Sequence, residues 1–199
     1  DFCLSRGLGD VYKRQVPYPR NPYFIGRESI LEAVHTLLVS HRPTAMAQAA
    51  ALTGLGGIGK TQTAIEYAYR YAPAYDAVFW LAAETSESLM TSLQQIADLL
   101  QLPERQAAGQ SQMVAAVQRW LTTHQGWLLI GDNVEDLDLL QRILPPAQQG
   151  TLLLTTRSQT LGTLAELLEL PPMNDEEGAM LVLRRARHLN TPVRDITQL

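Results

Sequence analysis

Eight residues, Gly54-Leu55-Gly56-Gly57-Ile58-Gly59-Lys60-Thr61, constrain what this 199-residue chain can fold into more than any other stretch. They fit G-x-x-x-x-G-K-[ST], the pattern of a phosphate-binding loop. A polyphosphate needs several backbone N–H donors aimed at one point, and a chain can curl that tightly only where it lacks Cβ atoms. Gly54, Gly56, Gly57 and Gly59 supply that freedom. A helix starting near Gly59 adds its positive N-terminal end. In this pattern Lys60 reaches the β- and γ-phosphates, and the Thr61 hydroxyl ligates Mg²⁺. The alternative is a flexible strand–helix connection with a solvent lysine. Lysine usage weighs against it, because the sequence carries its basic charge almost entirely as arginine and its only lysines are Lys13 and Lys60. A compact ammonium suits a phosphate at this position better than a planar guanidinium fork.

The surrounding chain reads as alternating strands and helices. Ala45 to Leu52 is expected to be a core strand that delivers the chain into the loop. The helix from Lys60 buries Ala64, Ile65 and Ala68 and ends before Pro73. Tyr67, Tyr69, Tyr71 and Tyr75 read as packing and surface aromatics. Ala77 to Ala82 is a second buried strand, followed by a helix with Leu89, Leu93, Ile96, Leu99 and Leu100 at helical spacing. Pro103 to Ser111 is a polar loop. Another amphipathic helix follows, carrying Met113, Val114, Val117, Trp120 and Leu121.

Trp127 to Asp132 reads as a strand buried on both faces, as in a parallel sheet. Ligand chemistry collects at the carboxyl ends of such strands. Asp132 stands there, where a carboxylate either holds Mg²⁺ beside Thr61 or caps the helix expected near Glu135. Gly150 to Arg157 repeats the pattern, a buried strand ending in two threonines and an arginine. Arg157 either contacts a γ-phosphate or forms a surface ion pair. A short strand, Leu167 to Leu170, leads into Pro171-Pro172. Asn174 then starts a helix with Glu177 placed for a capping box, and Arg184, Arg185 and Arg187 complement the dipole near its end.

Composition sets the outer limits. Length and apolar content suit one α/β domain with a real core. A net charge of −4 implies no general affinity for nucleic acid or anionic membrane. One cysteine, Cys3, excludes a disulfide framework and points to a reducing compartment, the cytoplasm. No apolar run approaches a membrane span and no signal peptide is visible. His35, His41, His124 and His188 are scattered, which argues against a metal cluster.

Residues 1–15 look foreign to the rest. Asp10 to Gln15 resembles the in-frame translation of a transposon-end sequencing adapter, a contaminant of metagenomic gene models, and residues 1–15 are therefore left out of the fold argument. Residues 16–44 form a proline-rich approach segment and a helix through Ile30, Leu31, Val34, Leu37 and Leu38. Residues 45–199 form the core. The chain stops at Leu199 inside a helical pattern, so it reads as part of a longer protein.

Five stretches together resemble the NB-ARC nucleotide-binding domain within the STAND class of signal-transduction ATPases. They are Phe24-Ile25-Gly26-Arg27-Glu28, Gly54 to Thr61, Leu128 to Asn133, Gly150 to Arg157, and Leu170-Pro171-Pro172-Met173 before an acidic helix start. The resemblance implies a three-layer P-loop NTPase fold of the α/β class, with a five-stranded parallel sheet in the order 5-1-4-3-2. It implies that Ile25, Gly26 and Arg27 pack on the adenine, and that the loop from Gly54 through Gly56, Gly57, Ile58, Gly59, Lys60 and Thr61 to Gln62 holds the rest of an ATP or ADP. Thr61 and Asp132 would hold Mg²⁺, and Arg157 would be the arginine that distinguishes ATP from ADP. Members act as switches. ADP holds a closed form, and exchange for ATP opens it for self-oligomerisation, under control of C-terminal regulatory domains of the same chain. One departure bears on turnover. The acidic residue that often follows the Mg²⁺ aspartate is here Asn133, a neutral amide that cannot act as general base, so slow hydrolysis is expected. Glu135 or Asp136 could substitute for it. A nucleotide-binding interaction module without turnover, or another P-loop ATPase, is the alternative.

Overall fold

The computed structural model describes residues 13–39, 48–105, 109–144, 149–161 and 164–189. The expected strand start at Ala45, the end of the chain and most of residues 1–15 lie outside them.

Six strands form one sheet: β1 (Lys13–Gln15), β2 (Gln48–Thr53), β3 (Ala77–Ala82), β4 (Trp127–Asp132), β5 (Thr151–Thr155) and β6 (Glu166–Glu169). Their order is β1-β3-β4-β5-β2-β6, and every pairing is parallel. Without β1 this is the implied five-strand order, with β2 as the first strand. The expectation of five strands is corrected by the sixth. Lys13–Gln15 pairs with Ala77–Phe79, and Gln15 Oε1 accepts the Trp80 backbone N–H at 2.9 Å. Three polar residues carry no alternation of their own, so this strand is set by its partner and not by its sequence.

The helices are α1 (Glu28–Val39), α2 (Lys60–Arg70), α3 (Ser86–Leu99), α4 (Gln110–Thr123), α5 (Leu137–Gln141) and α6 (Asp175–Leu189). The period-2 alternation of the strands sorts the core into two layers. Phe79, Leu81, Leu129, Leu152 and Leu154 face the cluster with Leu89, Leu93 and Ile96 of α3 and Met113, Val117 and Leu121 of α4. Val78, Trp80, Leu128, Ile130 and Leu153 face the opposite cluster, with Leu31, Val34 and Leu38 of α1 and Ala64, Ile65 and Ala68 of α2. Burial on both faces is why β3, β4 and β5 read as continuous apolar runs.

Local signals end the elements. Thr85 caps α3 through a reciprocal capping box with Ser88. Asn174 and Glu177 do the same for α6, at 2.8 and 3.0 Å. Asp136 caps α5 by accepting the Leu139 N–H at 3.1 Å, so that helix begins two residues after Glu135 and does not use Asp132 as its cap. Leu99, at helical spacing with the buried face of α3, is 37% exposed because it sits at the end of the last turn. Arg184 and Arg185 are exposed, as a solvated helix face requires.

Candidate functional site

The chain leaves β2 at Thr53 and turns through the glycine loop into α2. Gly54, Gly57 and Gly59 have φ of 138°, 76° and 102°, in the region that favours glycine. Gly59 is the N-cap of α2, so the amides of the first turn face the hollow of the loop. Gly56 differs in that its φ is not positive. A Cβ there would stand 3.9 Å from Arg157 Nη2, an ordinary van der Waals contact, which places the Arg157 guanidinium beside the loop.

Lys60 is 8% exposed and closes the loop across its own backbone, donating to the carbonyls of Gly54 at 2.8 Å and Leu55 at 2.9 Å. Burial holds its ammonium below the ordinary lysine range, the nearby Arg157 charge lowers it further, and Asp132 pulls it back up. Two cations and one carboxylate therefore share the rim, an arrangement suited to a ligand with several negative charges.

The carboxyl ends of β4 and β5 supply the other half. Thr61 Oγ1 donates to Asp132 Oδ1 at 2.8 Å, across a sequence separation of 71. Thr155, 1% exposed, donates to the same oxygen at 2.6 Å. Both contacts use Oδ1, and among the described residues no hydrogen bond engages Oδ2. One hydroxyl and one carboxylate at the mouth of a phosphate-type loop are hard oxygen donors, the set that suits Mg²⁺ when phosphate oxygens complete the shell. The residues present fit that ion. Among the described residues, no group of three or more His, Cys, Asp or Glu could hold a metal without such help.

The approach segment reaches the site through Arg27. This residue is 6% exposed and has φ 97°, rare for a side chain with a Cβ. Its guanidinium donates to the Ile58 carbonyl at 3.3 Å and to the Pro171 carbonyl. One side chain thus ties the segment before α1, the phosphate-type loop and the loop after β6. Gly26 is buried against Glu177, and Ile25 is half-buried. Gln62 lies in the first turn of α2, and its side chain accepts from Asn21 Nδ2 at 3.1 Å. A cavity of about 420 Å³ lies beside this contact, between Arg20, Asn21, Pro22, Phe24, Glu66 and Arg70.

The fold thus brings Lys60, Thr61, Asp132 and Arg157 to one rim and places Ile25, Gly26 and Arg27 on its flank. Sequence reasoning missed two residues. In the sequence Thr155 shows only as part of a strand end. Glu66 is 2% exposed and accepts from Arg20 at 2.8 and 3.0 Å and from Arg70 at 3.2 Å, fastening the approach segment to α2. Its signal was present as an acid on the apolar face of α2, four residues before an arginine.

Comparison with known proteins places this arrangement. The chain is 32% identical over 169 residues to a "Nucleotide-binding leucine-rich repeat (NLR)-like protein" of Hyaloscypha variabilis (strain UAMH 11265 / GT02V1 / F). The match takes in 74% of this chain and 17% of that relative, so the chain spans a small part of the relative's length. The crystal structure of Cdc6p from Pyrobaculum aerophilum is similar with a TM-score of 0.62 and 16% identity, over 87% of this chain and 52% of that one. That likeness shows the fold. The family described as "NB-ARC domain" matches residues 27–179, from the buried arginine of the approach segment into α6. This chain belongs to the NB-ARC domain family.

Proposed function

We propose that the chain is the ATP/ADP-binding module of a regulatory switch, with slow Mg²⁺-dependent hydrolysis, that controls signalling or effector activation within a longer protein. The observation that carries this reading is the convergence of Lys60, Thr61, Asp132 and Arg157 on one rim, with a glycine cup below it. Lys60 would hold the β- and γ-phosphates, and Thr61 and Asp132 would hold Mg²⁺, which would supply neutralising charge to the phosphates. Arg157 would read the γ-phosphate. Ile25, Gly26 and Arg27 would flank the base. The NB-ARC match and the name of the fungal relative support nucleotide binding. The relative's greater length supports a module within a longer protein. In this reading the module acts on C-terminal regulatory domains of the same chain, with nucleotide-dependent self-oligomerisation as its output. Among the described residues no helix is long and apolar enough to cross a membrane. The cytoplasm is the location proposed, on the single cysteine of the sequence.

Titration of fluorescent ADP and ATP analogues against wild-type protein and Lys60→Ala tests this. The wild type should bind both, and the variant should lose at least about tenfold in affinity while keeping its melting temperature. Undiminished binding by the variant removes Lys60 from the site.

Asn133 favours a second reading, an interaction module that binds nucleotide without turning it over. It holds the position after Asp132 where a general base would stand, and its backbone is fixed at φ 56° by a hydrogen bond to Thr155. Single-turnover hydrolysis separates the two readings.

A further inference from the structure

Thr155 makes a contact that the proposed use of Lys60, Thr61, Asp132 and Arg157 leaves unexplained. Its hydroxyl oxygen accepts the Asn133 backbone N–H at 2.8 Å. The same hydroxyl lies 2.6 Å from Asp132 Oδ1. A hydroxyl has one proton, and the Asn133 contact uses an oxygen lone pair, so the proton points at the carboxylate. The backbone around it is equally fixed. Val134 N–H bonds to the Thr155 carbonyl at 2.8 Å, and the Thr156 hydroxyl donates to the Val134 carbonyl at 2.6 Å. Thr155 is itself 1% exposed, and it cannot rotate away without leaving the part-buried Asn133 N–H without this acceptor.

We infer that Thr155 is the positioning residue of the Mg²⁺-binding carboxylate: it saturates Oδ1 of Asp132 and so turns Oδ2 toward the metal. Oδ1 takes two hydroxyl protons, from Thr61 and Thr155, and among the described residues Oδ2 takes none. When Thr61 turns its oxygen to a metal, its proton has Asp132 as an acceptor, while the Thr155 bond holds the carboxylate plane. One hydroxyl follows the ligand and the other stays. The inference rests on the nucleotide-site reading above. It concerns only how the metal's contribution to binding is secured.

The test measures affinity for a non-hydrolysable fluorescent ATP analogue with excess Mg²⁺ and with EDTA, the ratio being the magnesium gain. Thr155→Val keeps the shape and removes the hydroxyl. It should bind the analogue in EDTA within about twofold of wild type and lose about tenfold of the magnesium gain, the scale of one hydrogen bond to a charged group. Thr155→Ser restores the hydroxyl and should keep the gain within about threefold. Should the valine variant fail to fold, Thr155→Cys carries the same test through its weaker S–H donor and should lose several-fold of the gain. A full magnesium gain in a folded variant without the hydroxyl overturns the inference while the nucleotide site stands. So does an equal loss with Mg²⁺ and EDTA, since packing damage would lower both. Wild-type protein that binds no analogue in either buffer overturns the nucleotide reading, and this inference with it.

Discussion

Gly26 lies so close to Glu177 that a Cβ on the glycine would come within 2.7 Å of the carboxylate oxygen Oε1. The other oxygen, Oε2, accepts the Asn174 N–H in the capping box of α6. The segment before α1 and the first turn of α6 are thus in van der Waals contact, although about 150 residues separate them. Gly26→Ala meets two costs. Its φ of 61° strains any residue with a Cβ, and the Glu177 side chain must move off its cap. A loss of about 2 kcal/mol is expected in urea unfolding. In a Glu177→Ala background the same substitution should cost less, because only the backbone strain remains. Equal costs in both backgrounds would separate the two sites energetically.

Glu66 makes stability depend on acid. Burial alone would raise its carboxyl, but the hydrogen bonds and charges of Arg20 and Arg70 outweigh burial and hold it below the ordinary carboxylate range. The unfolded chain therefore takes up the proton at a higher pH than the folded one. The stabilisation is complete above the unfolded value and is lost as pH falls through the folded value. Glu66→Gln should be less stable than wild type at pH 7 by about 1–3 kcal/mol, and the gap should close as acid carries the pH below the ordinary carboxylate range. Melting temperatures of both proteins across that range check the sign. A gap that widens in acid would mean that Glu66 is held protonated.

The parts of the fold legible in the sequence are those whose signal is local. Trp127 to Asp132 announces itself because strands covered on both faces tolerate no polar residue, and the run ends where the aspartate begins the loop. The glycine loop is legible because its backbone has no other way to curl. Lys13–Gln15 is not legible, since an edge strand of three polar residues is selected by β3 and by the Trp80 N–H that Gln15 accepts. Thr155 and Glu66 were missed for a related reason. A threonine at a strand end and an acid on a helix are common, and only tertiary contacts with Asp132 and Arg20 give them their meaning. The position of Arg157 over Gly56 likewise becomes clear only when β5 and the loop are brought together.

Gly150 shows how tightly the sheet is packed before β5. A Cβ there would fall 2.2 Å from Cδ2 of Trp127, whose ring is fully buried. That neighbour is a ring fixed in the core, with its indole N–H bonded to the Leu121 carbonyl at 2.9 Å, and it cannot swing aside. Gly150→Ala should destabilise the protein by about 1–3 kcal/mol, the scale of overpacking a core. The melting temperature should fall by about 2–4 °C for each kcal/mol. An unchanged melting temperature would show that Trp127 has room to repack.

Arg157 should separate the two nucleotides. It is exposed, stands over Gly56 and adds positive charge beside Lys60, so a phosphate reaching beyond the loop meets it while a shorter one does not. Removing it by Arg157→Ala should weaken ATP about five- to tenfold and ADP by less than about twofold, since charge-assisted bonds to phosphate are among the stronger ones. Competition titrations with each nucleotide give the ratio directly. Equal losses would reduce Arg157 to general electrostatic attraction.

Turnover should be slow, and the reason lies in three residues of one turn. Asn133 cannot take a proton from an attacking water. Asp136 is committed to the α5 cap through Leu139. Glu135 is exposed to solvent, on the turn between β4 and α5. A missing general base withholds about 10²–10⁴-fold in rate, so single-turnover hydrolysis of ATP should run far below the roughly 10 s⁻¹ typical of enzymes. Asn133→Asp keeps a residue tolerant of the left-handed backbone while adding a carboxylate. It should raise the rate at least about tenfold with little change in affinity. Glu135→Gln should leave the rate within about twofold of wild type, because a solvent-facing carboxylate gains little as a base. A collapse of turnover in Glu135→Gln would instead make that residue the base and the slow switch an ordinary ATPase.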